Sequence, residues 1–305
     1  MVEALRSANY FILIVATLTS FLWLFLRAAT WRTLLRARAS YWDVFHSLNE
    51  GYLLNSFLPF RLGELGRAFF LSRRSGLAFA EILPTIVIER AMDLVFSAAL
   101  LLGSLPFVVG ASGAERIAVI LGMIVAIGIA LLYLLARNDK WALDTFHKLS
   151  GRWPSIQRFG GNLLESFLTG LGALTDPRLF LRFLFWMILN WALAVFNYYL
   201  IIRAFFPQAQ WIWGMFVLGA TAFGNAIPAA PGALGAYEAA FGGALTVLVG
   251  KESSSIALAA AVFGHFLNYL TSLVLGGYAI SREGNTLGGI YRELMALRTR
   301  TDQKE

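Results

Sequence analysis

Long stretches without a charged residue dominate the pattern along this chain. Four of them contain no Asp, Glu, Lys or Arg, and residues 253–281 form a longer one interrupted only by a histidine. The four stretches are residues 7–26, 94–114, 117–136 and 183–202. A helix rises about 1.5 Å per residue and needs about 20 residues to cross a hydrocarbon core of about 30 Å, so each stretch is long enough. The pattern therefore predicts an all-α, polytopic transmembrane helical bundle.

Two apolar segments carry the same pattern of proline and glycine. Asn55 to Phe69 reads NSFLPFRLGELGRAF, and Asn225 to Phe241 reads NAIPAAPGALGAYEAAF. At one constant spacing along the chain, which we call the repeat offset, Pro59 coincides with Pro231 and Gly63 with Gly235. Paired breaks at matching places in two halves of a membrane protein are typical of inverted repeats around a transport site. The predicted break residues are Pro59, Gly63, Pro228, Pro231, Gly232 and Gly235.

The repeat divides a single transmembrane domain, residues 1–305, into two similar units. We predict a first repeat at 1–110 with a broken helical hairpin at 44–72, and a second repeat at 181–282 with a hairpin at 214–249. Residues 111–180 hold a connecting span at about 115–136 and an amphipathic loop, with apolar residues at helical spacing from 163 to 174. Residues 283–305 form a basic tail.

Composition and charge agree with this picture and add an orientation. Hydrophobic residues make up 58% of the chain and charged residues 14%, and there is no cysteine for disulfide or thiolate chemistry. Basic residues group after the first span (Arg27 to Arg38), after the first hairpin, in the middle loop and in the tail, so all four groups are expected in the cytoplasm. Both hairpins are then re-entrant from opposite sides. This predicts a multi-pass protein of the cell membrane with a cytoplasmic C-terminus.

Polar residues within the apolar units are the candidates for substrate binding or gating. A charge at the centre of a bilayer costs about 2.5–3.5 kcal/mol on insertion scales, so these side chains are expected to face the interior. We expect Arg61 or Arg67 to pair with Glu89 or Asp93, either as a lock that packs the hairpin against its helix or also as a contact for a substrate headgroup. The candidates are Asn55, Arg61, Glu64, Arg67, Glu89, Arg90, Asp93, Asn225, Glu238 and His265.

The second half carries fewer charges, and its two titratable candidates leave alternatives open. Glu238 is expected near the positive N-terminal end of the helix after the break, where it either caps that helix or contacts the substrate. His265 corresponds to Asp93 at the repeat offset. It is either a neutral histidine hydrogen-bonded between helices or the counterpart of Asp93 at the site.

Four motifs, in this order, resemble the lysylphosphatidylglycerol synthase transmembrane-region family of flippase-like bacterial and archaeal membrane proteins. They are RAATWRTLL from Arg27, PxRLGELxR from Pro59, ERxxD from Glu89 and PGxLGxxE from Pro231. The resemblance implies a polytopic domain that binds or moves lipids, and in multidomain members it translocates aminoacylated phosphatidylglycerol. It marks Arg61, Glu64, Arg67, Glu89, Arg90, Asp93 and Glu238 as recurrent polar positions.

The chain departs from the family pattern in two places. The family usually has a further hydrophobic segment upstream, so we expect either a truncated start or a member without that helix, with its N-terminus outside. Tyr237 stands where the family often has arginine before the glutamate, which leaves one cation fewer for a polyanionic headgroup.

We predict a flippase-like transporter that moves a phospholipid, anionic or aminoacylated, or a lipid-linked headgroup between leaflets, with no catalytic residue, metal or cofactor. A secondary transporter of a small solute is an alternative. A metal-dependent intramembrane hydrolase or transferase using Glu89 and Asp93 is less favoured, because Arg90 beside them favours ion pairing and no catalytic motif is present. Membrane lipids are the expected partners. A homodimer and a separate lipid-modifying enzyme are left open, and nucleic acid is not expected, because cytoplasmic loops explain the net charge of +7.

Overall fold

The described part of the chain folds into helices joined by short turns. A computed structural model describes residues 2–110, 139–151, 176–226 and 231–282, together with scattered positions between 113 and 138 and positions 161 and 168. The helices are α1 (Val2–Ser7), α2 (Tyr10–Leu34), α3 (Tyr41–Phe57), α4 (Gly63–Ser75), α5 (Phe79–Val108), α6 (Asp139–Ser150), α7 (Pro177–Phe205), α8 (Trp211–Ala226), α9 (Ala236–Val249) and α10 (Ser254–Arg282). Single 3₁₀ turns lie at Pro59–Arg61, Pro231–Ala233 and Lys251–Ser253.

Within the described residues, five helical segments are long and apolar enough to cross a membrane. They are Tyr10–Leu34, Phe79–Val108, Pro177–Phe205, Pro231–Val249 and Lys251–Arg282. Their outer faces are apolar: Phe11, Leu181 and Val247 are 75%, 65% and 68% exposed. Exposed large apolar side chains are unfavourable in water but favourable in contact with lipid chains. The predicted fold class, an all-α bundle of membrane-spanning helices, is confirmed for the described residues.

The order of elements occurs twice along the chain. A long helix, a broken pair and a second long helix form one unit (α2 to α5), and the same sequence of elements forms the other (α7 to α10). The turns Pro59–Arg61 and Pro231–Ala233 are separated by the repeat offset. In each turn two consecutive residues are left-handed: φ is 56° and 54° at Phe60 and Arg61, and 64° and 58° at Gly232 and Ala233. The two turns therefore share a pair of left-handed residues, but the backbones differ afterwards, since Gly235 has a φ of 81° whereas Gly63 begins its helix.

Each unit packs its broken pair against the other unit. The two first helices, α2 and α7, lie side by side, while α3 packs on α10 and α8 packs on α5. Glycines allow both of these crossings: a methyl group at Gly276 would lie 2.6 Å from the carbonyl oxygen of Asn49, and one at Gly219 would lie 2.8 Å from the backbone nitrogen of Leu101. The backbones of the two units thus approach more closely than an alanine would permit.

Several predicted segments can be compared with the observed bounds. The first broken pair runs from Tyr41 to Ser75 and the second from Trp211 to Val249, close to the predicted 44–72 and 214–249. Most of the connecting span at 115–136, nearly all of the amphipathic stretch at 163–174, the tail from 283 and Pro228 lie outside the described residues.

Arg27 requires a correction. It was expected in a cytoplasmic segment after the first span, but α2 continues to Leu34 and the Arg27 side chain is 2% exposed inside the bundle.

Candidate functional site

The first break directs two charged residues towards the interior. Helix α3 ends at Phe57, Leu58 is extended, and Pro59 begins the 3₁₀ turn because its ring fixes φ and removes a donor. The Asn55 side-chain oxygen accepts a hydrogen bond of 2.8 Å from the backbone N–H of Gly63 and so ties α3 to the start of α4. A methyl group at Gly63 would overlap the carbonyl oxygen of Gly51, so only glycine fits there. Arg61 and Glu64 emerge on either side of this junction.

Buried ion pairs join α2, α4 and α5 beside the first break. Arg67 of α4 and Glu89 of α5 are both 0% exposed, and Nη1 of Arg67 lies 3.0 Å from Oε1 of Glu89. Nη2 of Arg27, on α2, lies 2.7 Å from the same oxygen. The Arg27 guanidinium also binds Asp93 through two hydrogen bonds, of 2.8 and 2.5 Å. Paired contacts of this kind combine charge with fixed geometry.

Arg90 and Glu64 complete a network of three arginines and three carboxylates. Arg90 contacts Glu89 at 2.8 Å and Asp93 at 3.2 Å, and its Nε lies 3.5 Å from Glu64. Glu64 in turn lies 2.7 Å from Nη2 of Arg67. We call Arg27, Glu64, Arg67, Glu89, Arg90 and Asp93 the charged network. Its charges balance.

Arg61 stands outside this balance. Within the described residues it has no carboxylate within 4.0 Å, and its guanidinium donates to the backbone carbonyl oxygen of Asn225 at the end of α8. Of the expected pairings, therefore, Arg67 pairs with Glu89, whereas Arg61 reaches across to the second unit. It adds one positive charge to a neutral network.

The second break is organised by Glu238 and His265. Oε2 of Glu238 accepts a hydrogen bond of 2.8 Å from the backbone N–H of Gly235 and caps α9, as expected for a carboxylate at a helix N-terminus. Its other oxygen lies 2.6 Å from Nδ1 of His265, whose Nε2 lies 2.8 Å from the carbonyl oxygen of Gly232. His265 thus bridges α10, α9 and the break. Both the capping role and the interhelical hydrogen bond are present.

The two breaks contact each other and border one cavity of about 510 Å³, which we call the central cavity. Its charged side is formed by Arg27, Arg61, Glu64, Arg90 and Asp93. Its uncharged polar and titratable side includes Asn225, Tyr237, His265, Asn268 and Tyr269. Large apolar side chains complete the lining, among them Trp23, Leu24, Phe60, Leu94, Trp191 and Leu218. Of the predicted site residues, Asn55 also lines this cavity, while Arg67 and Glu89 support it from the charged network.

Two uncharged residues of the lining carry buried polar atoms without a hydrogen-bond partner in the described part of the protein. These atoms are Oδ1 of Asn225 and Nε1 of Trp191. Buried polar groups are rarely left unsatisfied, because the loss of their hydration costs about 1–3 kcal/mol. Water or a bound ligand in the cavity would satisfy them.

The sequence did not predict that Arg27, Asn190 and Asn197 belong to the site. Arg27 directly follows the uncharged window 7–26, so it resembled an interfacial anchor. Asn190 and Asn197 donate from α7 to the carbonyl oxygens of Trp23 and Ala16 on α2, at 3.2 and 2.6 Å. Their spacing of two helical turns within an uncharged span was the available signal for them.

The carboxylates of the charged network contact arginines. In the described ranges, no group of three His, Asp or Glu side chains is arranged to hold a metal ion. Glu89 and Asp93, the residues considered for a metal-dependent enzyme, have their contacts with Arg27, Arg67 and Arg90.

The family model described as "Lysylphosphatidylglycerol synthase TM region" matches residues 1–276, and the chain belongs to this family. The matched range covers the first unit completely and nearly all of the second. Comparisons with curated proteins and with solved structures gave no match. With its five apolar helices, the chain is a multi-pass membrane protein of a lipid-related family.

Proposed function

We propose that this protein is a carrier that moves a phospholipid between the two leaflets of the cell membrane, with the headgroup passing through the central cavity. One observation carries the proposal: the breaks of two similar units meet at a single cavity that has both a charged side and large apolar side chains. Broken helices that face each other across a polar cavity are the usual site of binding in transporters built from repeats.

The size of the cavity favours a headgroup over a whole lipid. Pockets for small molecules have volumes of about 300–1,000 Å³, and about 510 Å³ accommodates a glycerophosphate headgroup but not two acyl chains. The chains would remain in the bilayer beside the protein. The apolar lining includes Trp23, Leu24 and Leu94, whose side chains make no hydrogen bonds to a small polar solute through these apolar surfaces. This lining favours a lipid over such a solute.

The electrostatics of the breaks favour an anionic group on the lipid. Arg61 has no carboxylate partner among the described residues and lines the cavity. Helices α4 and α9 both begin at a break, so the positive ends of their dipoles lie beside the cavity. A phosphate is the anionic group common to phospholipids. Glu64 and Asp93 on the same side leave room for an amine as well, as in an aminoacylated headgroup.

Movement between leaflets would follow from the way the units pack. Each broken pair rests on the last helix of the other unit, so rocking of one unit against the other would open the cavity first to one leaflet and then to the other. On this proposal the C-terminus lies in the cytoplasm, and a separate lipid-modifying enzyme or a second copy of the chain remains a candidate partner.

Leaflet exchange of a fluorescent phospholipid in reconstituted vesicles tests the proposal. The wild-type protein should accelerate exchange over protein-free vesicles, and Arg61→Ala should reduce that acceleration at least about tenfold if one charged contact of about 1.5–3 kcal/mol is lost. Arg38→Ala is the matched control, since its side chain is 49% exposed and remote from the cavity.

Native mass spectrometry of gently extracted protein should show a bound phospholipid that is depleted in Arg61→Ala. Wild-type vesicles that exchange no faster than protein-free ones, or a bound small solute in place of lipid, would contradict the proposal and favour a solute carrier.

A further inference from the structure

His265 lies between two hydrogen-bond acceptors. Its Nδ1 is 2.6 Å from a carboxylate oxygen of Glu238, and its Nε2 is 2.8 Å from the carbonyl oxygen of Gly232. A neutral imidazole has one N–H and one acceptor nitrogen. With Glu238 ionised, one of the two contacts would then bring two acceptors together. Both contacts become hydrogen bonds only when the pair carries one more proton, on the imidazole or on the carboxyl group.

We propose that His265 and Glu238 form a proton-binding site that controls the second break, and that lipid movement depends on whether this site is occupied. The second half of this statement rests on the proposed function. The ligand is the proton itself, exchanged with water in the central cavity. His265 lines that cavity, and the side chains of His265 and Glu238 are 6% and 20% exposed.

The groups around the pair keep their charge near neutral pH. From α9, Tyr237 stacks on the His265 ring with 4.5 Å between centroids, and from α10 itself Tyr269 lies at 4.9 Å. Tyr198 of α7 is one ring further away, against Phe241. Across the cavity the first break contributes Arg61.

Tyrosine and arginine side chains do not titrate between about pH 5 and about 8, whereas an imidazole does. Among the described groups that face this site, His265 is therefore the one whose side-chain type exchanges a proton in that range.

The proton acts on the break through the carbonyl group of Gly232. When the pair is protonated, the imidazole donates to this carbonyl and holds the left-handed turn at Gly232 against α10. When the proton returns to the cavity water, the imidazole keeps only one of its two hydrogen bonds. The contact between the second broken helical pair (α8 and α9) and α10 is then weaker, and these two helices are free to move.

Two substitutions separate the states of the site. In Glu238→Gln the amide donates to Nδ1 and leaves Nε2–H for the Gly232 carbonyl, which reproduces the hydrogen bonds of the protonated pair. His265→Phe keeps a ring between Tyr237 and Tyr269 but makes neither hydrogen bond, so it cannot bind the proton or hold the Gly232 carbonyl group. His147→Asn is the matched control, because His147 is exposed on α6.

The experiment measures leaflet exchange of a fluorescent phospholipid in vesicles buffered equally on both sides, from about pH 5 to about 8. The wild-type rate should rise with pH, by up to about tenfold per unit below the plateau, because one proton leaves. His147→Asn should follow the wild type. Glu238→Gln should be slow at every pH and His265→Phe fast at every pH.

A wild-type rate that does not change with pH, variants that keep the wild-type profile, or two equally slow variants would overturn the coupling. No exchange at any pH would instead overturn the proposed function.

Thermal unfolding in detergent tests the proton site independently of transport. A proton that the folded protein binds more tightly than the unfolded chain contributes stability at low pH, and this contribution disappears as pH rises through the release of that proton. The wild type and His147→Asn should therefore lose a component of thermal stability with rising pH that His265→Phe does not show. Identical profiles for all three proteins would overturn the proton site.

Discussion

The two breaks share a 3₁₀ turn with two left-handed residues but differ completely in chemistry. At the repeat offset, which superposes the turns, each member of the charged network, and Arg61, corresponds to a residue without a fixed charge. The pairs are Arg27 and Tyr199, Arg61 and Ala233, Glu64 and Ala236, Arg67 and Ala239, Glu89 and Ala261, Arg90 and Val262, and Asp93 and His265. The backbone N–H groups of Gly63 and Gly235 also correspond, yet Asn55 caps one and Glu238 the other.

This difference assigns separate tasks to the two halves. Leaving a buried charge without its partner costs about 3–5 kcal/mol, so moving α4 away from α2 and α5 would separate buried charges at that cost. The polar contacts at the second break are those of one histidine and one carboxylate, and on the proposal above a single proton makes or weakens them. The apolar side chains of Tyr237 and Phe241 also pack this segment into the core. On the proposed function and the proposed proton site, we infer that the polar contacts of the second break change during transport, whereas those of the first break stay in place.

The largest predicted effect is that of Glu89→Ala. The substitution leaves Arg27 and Arg67 buried with one carboxylate fewer, so the free energy of unfolding in detergent should fall by about 3–5 kcal/mol. Glu81→Ala is the control: its pair with Arg38 is 49% exposed on both sides and should contribute no more than about 1 kcal/mol. Equal losses for the two variants would mean that the network does not stabilise the first half.

Replacing both partners of one ion pair should lower the stability by less than the sum of the two single replacements. In the double variant Arg67→Met, Glu89→Met, Arg27 retains Asp93 and no charge loses all of its partners. We expect the double-mutant cycle on thermal unfolding to give a coupling of about 1–3 kcal/mol. Strictly additive losses would contradict the contact between Arg67 and Glu89.

Equivalent glycines should tolerate alanine differently. A methyl group at Gly63 would meet the backbone of Gly51 and the side chain of Asn55, so Gly63→Ala should cost about 1–3 kcal/mol or prevent folding. A methyl group at Gly235 meets nothing within 4 Å, so alanine there has no clash and only the cost of its backbone conformation (φ 81°, ψ −44°), about 1–3 kcal/mol. Unfolding measurements on both variants compare the two breaks directly. A larger loss of unfolding free energy in Gly235→Ala than in Gly63→Ala would contradict the closer packing at the first break.

The sequence predicted the elements better than their partners. Proline and glycine act locally, so Pro59 and Pro231 marked both turns, and the charge-free windows located the long helices. The sequence indicated that Arg67 could pair with Glu89, because both charges lie in apolar segments.

Arg27 was missed because its position after an uncharged window is equally typical of an interfacial anchor, and only tertiary packing decides between the two. No pattern in the sequence predicts that Arg61 donates to the backbone carbonyl oxygen of Asn225.

The smallest predicted effect concerns the cap of the first break. Asn55→Ala removes the hydrogen bond to the Gly63 N–H and should lower the free energy of unfolding by about 0.5–2 kcal/mol. Asn55→Asp retains an acceptor and should recover most of the loss. If Asn55→Asp is as unstable as Asn55→Ala, the side-chain oxygen is not the cap.

Cross-linking the two breaks tests the central claim, that they must separate for a lipid headgroup to pass. The chain has no cysteine, so Ser56→Cys with Ala233→Cys can be joined by a short, reducible thiol reagent, at a place where a methyl group on Gly232 would lie 3.1 Å from the Ser56 carbonyl oxygen. Leaflet exchange of a fluorescent phospholipid should stop in the cross-linked protein and return after reduction, while each single-cysteine variant should stay active throughout. An unchanged exchange rate in the fully cross-linked protein would contradict passage through the central cavity.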